Sequence, residues 1–329
     1  MQPGSDWRMQ PPARLELTAA TTATIIGLVA QPADYIRGVL VMSLSSLLFS
    51  VMATLIRFAD RIDSFSTAFY RFAVGMGVLV LLALFRRIRL AFTDSRVLFL
   101  RGLLGGIAVV LFYLSIVKIG IAKGTVISFA YPVFATLGGM IFLKERVRGF
   151  VWLLLAASLF GMALMTYVTE DGVGLFRLDL WTVLAVVGAV VGGLALVCVK
   201  RLTTSDSGYS IFMSQCVIGF WMVLIPANMN AVGVVLPEAL LLIAIGLCAT
   251  VGQLCMNWGF GMLTVSTGAL LGLLTPVINV FVGIMLFREP LGWVELTGAV
   301  LVLASCTAVV WVNRETRGET EQALLMKPR

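Results

Sequence analysis

Two prolines gather the polar side chains of this sequence around them. Ser128 and Tyr131 precede Pro132, and Thr275 and Asn279 flank Pro276. Each proline falls about 11–12 residues into an apolar run of helix length, roughly 16–18 Å along a helix axis, which is near the middle of a bilayer. A proline has no N–H, so each frees the carbonyl four residues earlier, at Ser128 and Gly272. In lipid such a carbonyl needs a partner, so both breaks must face protein or a wet cavity. Other apolar runs add Tyr113 beside Phe112, and Gln253, Asn257 and Trp258. Phenols, hydroxyls and amides of this kind orient a zwitterion or stack on an aromatic ring. They also tie helices together, at about 0.6–2 kcal/mol each, and for any one of these residues both readings stand.

Catalytic chemistry has little to work with. There is no histidine, which removes His-based triads, His general bases and His-ligated metals. The five cysteines, Cys198, Cys216, Cys248, Cys255 and Cys306, form no CxxC pair and read as small packing residues. No Ser/His or Cys/His pair, acid cluster or Walker A sequence is present, which argues against an enzyme and against ATP hydrolysis. Arg71 is the one clear charge inside an apolar run, and such a charge is a functional candidate by default. It lies some six residues from the end of its run, close enough to snorkel or to cap a neighbouring helix, and that structural role is favoured. Glu145 and Glu289 each close an apolar run. A carboxylate is unfavourable at a helix C-terminus, so each is expected to serve the N-terminus of the helix that follows, with a gate or proton relay as the other role. No acid lies near the midplane, which weakens proton coupling and favours facilitated diffusion or exchange.

The elements that must position these residues follow from composition. The chain has 329 residues, 60% of them hydrophobic and 12% charged, with a mean hydropathy of +1.01. Lipid must be the solvent for most of that surface. Ten apolar runs are expected to cross it, near 36–57, 65–85, 97–117, 121–143, 149–168, 180–200, 209–227, 239–258, 264–287 and 292–312. Residues 1–35 read as a cytoplasmic or interfacial leader, with a signal segment or an eleventh span over 15–31 as the alternative. Residues 313–329 read as a polar, mobile tail. Arg8, Arg14 and Arg37 share one side with Arg86, Arg87, Arg89, Arg96 and Arg101, with Lys144, Arg146 and Arg148, with Lys200 and Arg201, and with the tail. That bias places both termini in the cytoplasm, and it makes the net charge of +7 a matter of topology, not of nucleic-acid binding.

The prolines belong to a block that occurs twice, 144 positions apart. Residues 122–145 read AKGTVISFAYPVFATLGGMIFLKE and residues 266–289 read STGALLGLLTPVINVFVGIMLFRE. Gly124, Pro132, Val133, Gly139 and Glu145 recur as Gly268, Pro276, Val277, Gly283 and Glu289. The same offset aligns Arg57 with Arg201, Gly75 with Gly219, Gly102 with Gly246 and Tyr113 with Asn257. Residues 36–168 and 180–312 are thus two repeats of five spans. Because five is odd, the second repeat must run through the membrane in the opposite sense. The fold expected is an all-α polytopic membrane protein of ten transmembrane helices in two inverted five-helix repeats. GxxxG patterns at Gly102/Gly106, Gly188/Gly192 and Gly268/Gly272 serve packing within the chain or, alternatively, a dimer seam, so a monomer or a homodimer is expected.

The pattern Gly-x7-Pro-Val-x5-Gly-x4-(Lys/Arg)-Glu resembles the EamA family of the drug/metabolite transporter superfamily, as does the Arg71-Phe72 pair. The resemblance covers about residues 36–312. It implies ten helices, an inverted repeat, alternating access around a central cavity, small-metabolite substrates and no prosthetic group or cofactor. Gln215 stands where the second repeat would place the equivalent of Arg71, so that arginine's role is not duplicated. The function expected is secondary transport of a small organic metabolite, most of all an amino-acid-like one, across the inner membrane. The binding set is Tyr113, Ser128, Tyr131, Gln253, Asn257, Trp258, Thr275 and Asn279, with hinges at Pro132 and Pro276. The alternatives are a non-transporting membrane scaffold or sensor, and a proton-coupled drug or nucleoside carrier.

Overall fold

The computed structural model describes residues 32–59, 61–119, 127–165, 180–229, 233–288 and 292–325. Among the described residues every regular element is helical: α1 (Pro32–Phe58), α2 (Ser64–Leu84), α3 (Ser95–Ile119), α4 (Tyr131–Leu143), α5 (Gly149–Met165), α6 (Leu180–Leu202), α7 (Gly208–Met229), α8 (Leu236–Met262), α9 (Val265–Gly272), α10 (Leu274–Phe287) and α11 (Trp293–Leu325). Seven segments are long and apolar enough to cross a bilayer, with α9 and α10 together forming one of them. Three shorter apolar stretches, Tyr131–Leu143, Gly149–Leu164 and Leu296–Val312, fall below that length. The outward faces carry large apolar side chains such as Leu40, Phe142, Leu153, Trp221, Ile225 and Trp311, all more than half exposed, as a lipid-facing surface requires. The leader before Pro32 and the acidic residue Glu289 lie outside the described residues. The tail differs from the sequence expectation. The last helix does not stop at Asn313 but continues to Leu325, since residues 313–325 contain no proline and only one glycine to end it.

The 144-residue offset is written into the helix ends. Helices α2 and α7 start 144 positions apart, as do α5 and α11. Asp63 caps α2, its Oδ1 accepting from the N–H groups of Phe65 at 2.8 Å and Ser66 at 3.0 Å. At the equivalent place Ser207 caps α7 by accepting from the Ser210 N–H at 3.2 Å. Helices α4 and α10 both end on a left-handed residue, Lys144 at φ 54° and Arg288 at φ 53°. Their N–H groups donate to the carbonyls of Gly139 and Gly283. A side-chain-bearing residue in that conformation costs about 1–2 kcal/mol, and both copies accept it.

The broadest contacts join one repeat to the other. Helix α1 packs on α8 as α3 packs on α6; α3 meets α7 as α8 meets α2; α4 meets α6 as α10 meets α1. The self-related pairs α2–α7 and α5–α11 lie on the axis of that arrangement. Close approach is made possible by glycine. A Cβ on Gly102 would lie 2.5 Å from Ile218 Cδ1 and 2.6 Å from the Ser214 carbonyl oxygen, and one on Gly246 would lie 2.5 Å from Val74 Cβ. Val74 and Ile218 are themselves 144 apart, so the two crossings are copies of one contact. Phe72 and Phe212, both fully buried, press on Gly219 and Gly75 at the α2–α7 crossing. Polar bridges close the ends. The Asp206 carboxylate accepts from the N–H groups of Thr93 at 2.7 Å and Asp94 at 3.2 Å, and Arg61 pairs with Glu238 at 3.1 Å.

Gly102→Ala is expected to destabilise the protein by about 1–3 kcal/mol, because the added methyl meets a backbone oxygen that cannot give way. Gly77→Ala, where a Cβ meets nothing within 4 Å, is the matched control. Melting in detergent should separate them, and equal midpoints would refute the close-packed crossing.

Candidate functional site

At Pro276 the helix is interrupted, not merely bent: α9 ends at Gly272 and α10 begins at Leu274. Carbonyls of the last turn of α9 take side-chain donors from three other helices, and those of Leu270 and Leu271 also accept from the Leu273 N–H. The Tyr131 hydroxyl on α4 donates to Ala269 O at 3.4 Å, the Cys306 thiol on α11 to Leu270 O at 3.2 Å, and the Ser46 hydroxyl on α1 to Leu271 O at 3.1 Å. The sequence argument pointed to the Gly272 carbonyl; the three before it are the ones that receive side chains. Gly272 serves differently, since a Cβ there would collide with the Tyr131 hydroxyl oxygen. In the first repeat a turn at Phe129–Ala130 precedes α4, and Pro132 takes the second helical position, where its missing N–H costs nothing.

The expected binding residues fall into distinct settings. Thr275 donates to Ser46 O at 3.4 Å, so α1 touches both sides of the break. Ser128 and Asn279 are half-buried beside the two prolines. Asn257 is buried; its amide nitrogen donates to Gly208 O at 2.9 Å, and its oxygen accepts from Gln253 at 3.5 Å. Trp258 is 41% exposed and meets Tyr209 edge-on, ring centroids 5.8 Å apart. The Tyr113 side chain and Glu289 lie outside the described residues. Two surface hollows are lined by none of these residues. One, of about 70 Å³, lies among Ile62, Ser66 and Ala227; the other, of about 390 Å³, lies among Leu98, Phe99 and Val217.

Glu145 serves the N-terminus of α9 and not that of α5, which follows it. Its two carboxylate oxygens accept from the Val265 N–H at 3.0 and 3.2 Å, at the first residue of α9. The left-handed turn at Lys144 carries the chain away from α4, and the open N–H of the other repeat's short helix offers a better partner. Burial pushes the Glu145 carboxyl up from its ordinary value, partly offset by the Val265 N–H and by the Lys200 ammonium.

Arg101 corrects the sequence analysis, which placed it with the basic surface. It lies within α3 and is 2% exposed. Its guanidinium runs one turn further along α3 over Gly105, where a Cβ would strike Nη1. Nη2 donates to Gln215 Oε1 at 2.9 Å, while Nε and Nη1 are buried without a hydrogen-bond partner. Arg71 pairs with no carboxylate among the described residues. Its Cζ lies 5.7 Å from the Phe49 ring and 5.9 Å from the Phe72 ring, and its Nε is buried and unpartnered. Helices α2, α3, α6 and α7 contain no Asp or Glu. One uncompensated charge at the centre of a helix in lipid costs at least about 2.5–3.5 kcal/mol. Sequence reasoning did not single out the buried Arg101–Gln215 pair. The available signal was that Arg101 sits inside the apolar run and that Gln215 occupies the position equivalent to Arg71.

A family model described as the EamA-like transporter family matches residues 36–167 and 179–311. The pseudopaline exporter CntI of Pseudomonas aeruginosa is 28% identical over 279 residues, 83% of this chain and 95% of that protein. An uncharacterised transporter of Helicobacter pylori is 23% identical over 234 residues, 68% of this chain and 77% of that one. One solved crystal structure superposes with a TM-score of 0.71 at 16% identity, covering 85% of this chain and 98% of that one, and shows the same fold.

Ser46→Ala removes the side-chain donor from the Leu271 carbonyl, which keeps the Leu273 N–H, and is expected to cost about 0.5–1.5 kcal/mol in melting experiments. Loss of the neighbouring Ser45 hydroxyl, bonded to Gly252 O at 2.7 Å, should cost no more. The raised Glu145 carboxyl favours the fold most below its ordinary value near 4.5, and that contribution is lost as pH rises through the folded-state value. The melting temperature of the wild type relative to Glu145→Gln should therefore fall as pH rises above that point. A difference that stays constant with pH would contradict it.

Proposed function

The chain belongs to the EamA-like transporter family, and from that premise we propose that it is a secondary transporter moving a small organic solute across the membrane by alternating access. The observation that carries this reading is the reciprocal packing of equivalent helices, α1–α8 with α3–α6 and α3–α7 with α8–α2. Counted with the shorter apolar helices, each repeat contributes five spans, and an odd count makes the second run opposite to the first. Two arrangements related by exchanging the repeats' roles are then nearly equal in energy, which is what a carrier that opens to either face requires. The lysine and arginine bias puts both termini in the cytoplasm. The similarity to an exporter over 95% of its length favours outward movement.

The solute site lies between the repeats near the two helix breaks. Ser128 and Asn279 are the side chains there with polar groups turned to the solute, while Tyr131 and Thr275 hold the break itself together. With no acid at the midplane, movement is by facilitated diffusion or exchange.

Reconstituted protein should give counterflow of at least one member of a panel of amino acids, nucleosides and organic acids. Asn279→Ala should slow that flux about tenfold, the worth of one hydrogen bond to the solute, with an unchanged melting temperature. No counterflow for any solute would overturn the transporter reading. Normal flux in Asn279→Ala would overturn the placement of the site.

A further inference from the structure

Building on the transporter reading, we propose that Arg71 and Arg101 form the charge-recognition element of the carrier, and that the solute is a small organic oxyanion. Its carboxylate or phosphate oxygens are held at the seam between α2, α3 and α7, where Arg71 meets Phe49 about one turn along α1 from the Ser46 contact with the α9 break.

Two cations lie by the α2–α7 crossing, Arg71 on α2 against Phe72 and Arg101 on the Gln215 amide of α7, and helices α2, α3, α6 and α7 supply no carboxylate. A purely structural arginine would settle on a carboxylate or on the open carbonyls of a helix end. Here Arg101 spends one nitrogen on Gln215 and keeps two buried donors open, and Arg71 keeps its Nε open. A buried guanidinium with open donors is costly, and an anion that occupies the seam for part of the cycle offsets that cost. Gln215 fixes the Arg101 fork in place, and it does so from the position equivalent to Arg71. The second repeat thus contributes a neutral acceptor where a third cation would have been repelled.

The depth is right for a carrier. Gly105, under the Arg101 guanidinium, is ten residues into a helix of 25, about 15 Å along the axis. Arg71 lies against Phe49, 17 residues into α1, about 25 Å along that axis. The rings of Phe49 and Phe72 keep water from one side of Arg71, which strengthens its attraction for an anion. Contacts come from both repeats, so rocking one against the other changes the face to which the anion is exposed. Two cations are balanced by a dianion. The loaded carrier is then neutral inside and the empty one is not, so return of the empty form is the unfavourable step and exchange is the favoured mode.

The test is thermal stabilisation of the purified full chain in detergent by succinate, glutamate, inorganic phosphate and glucose 6-phosphate, against succinamide, glutamine and glucose. The oxyanions should raise the melting temperature and the neutral analogues should not; the carboxylate and phosphate arms decide which oxyanion is preferred. Arg101→Gln and Arg71→Gln should weaken the apparent affinity at least about tenfold, and Arg101→Lys should retain part of it. Ligand-free Arg101→Gln should melt no lower than the wild type, because it removes an uncompensated charge; a merely structural arginine would give a lower midpoint. The idea is overturned if neutral analogues stabilise equally, if no free oxyanion stabilises, if only phosphatidylglycerol does, or if Arg101→Gln lowers the ligand-free midpoint and leaves the anion effect intact. An oxyanion shift without flux of that oxyanion in vesicles would sink the transporter reading and leave the anion site standing. Flux of neutral solutes without any oxyanion shift would do the reverse.

Discussion

A helix that stops inside a bilayer exposes carbonyls that only the protein itself can satisfy, and the structure is organised around meeting that demand at α9. Tyr131, Cys306 and Ser46 reach it from α4, α11 and α1, and the Glu145 carboxylate holds its other end. A helix of eight residues has too few internal bonds to persist alone. Here it is pinned at both ends by groups from four other segments. Those segments must therefore converge on one place, and the interface between the repeats is where they do so.

Much of this frame was legible in the sequence because its determinants act locally. A proline removes a backbone donor whatever its neighbours, so Pro132 and Pro276 marked the breaks without knowledge of the packing, although Pro226 stands inside α7 without ending it. The capping chemistry at Asp63 and Ser207, and the matched ends at Lys144 and Arg288, keep the spacing of the duplicated block. What escaped depends on partners far away in the chain. Arg101 looks like an interfacial residue until Gly105 leaves it room and Gln215, 114 positions on, receives it. Glu145 finds an N–H 120 positions on, where proximity in sequence suggested the next helix. The length of α4 was misjudged because the turn at Phe129–Ala130 ends one helix and Pro132 opens another.

The duplicated frame also makes its departures informative. Equivalent positions that differ in kind are those at which symmetry of shape was kept and symmetry of charge was not. Arg71 and Gln215 face the same axis from the α2–α7 pair, and Arg101 corresponds to Ile245, a fully buried aliphatic residue. The backbone is nearly indifferent to which repeat is which, while the electrostatics single out one. A duplicated architecture can thus supply the motion, and an unduplicated pair of cations the selectivity.

The reciprocal packing of α1 with α8 and of α3 with α6 has a consequence for how the chain comes into being. During synthesis the first repeat enters the bilayer with its main partners still inside the ribosome, so its glycine-lined grooves and its cationic α3 wait among lipids. Neither repeat is a unit of assembly, and the polypeptide cannot commit to its tertiary structure until α8 has been threaded. The long sequence separation of these contacts makes maturation slow for a helical protein.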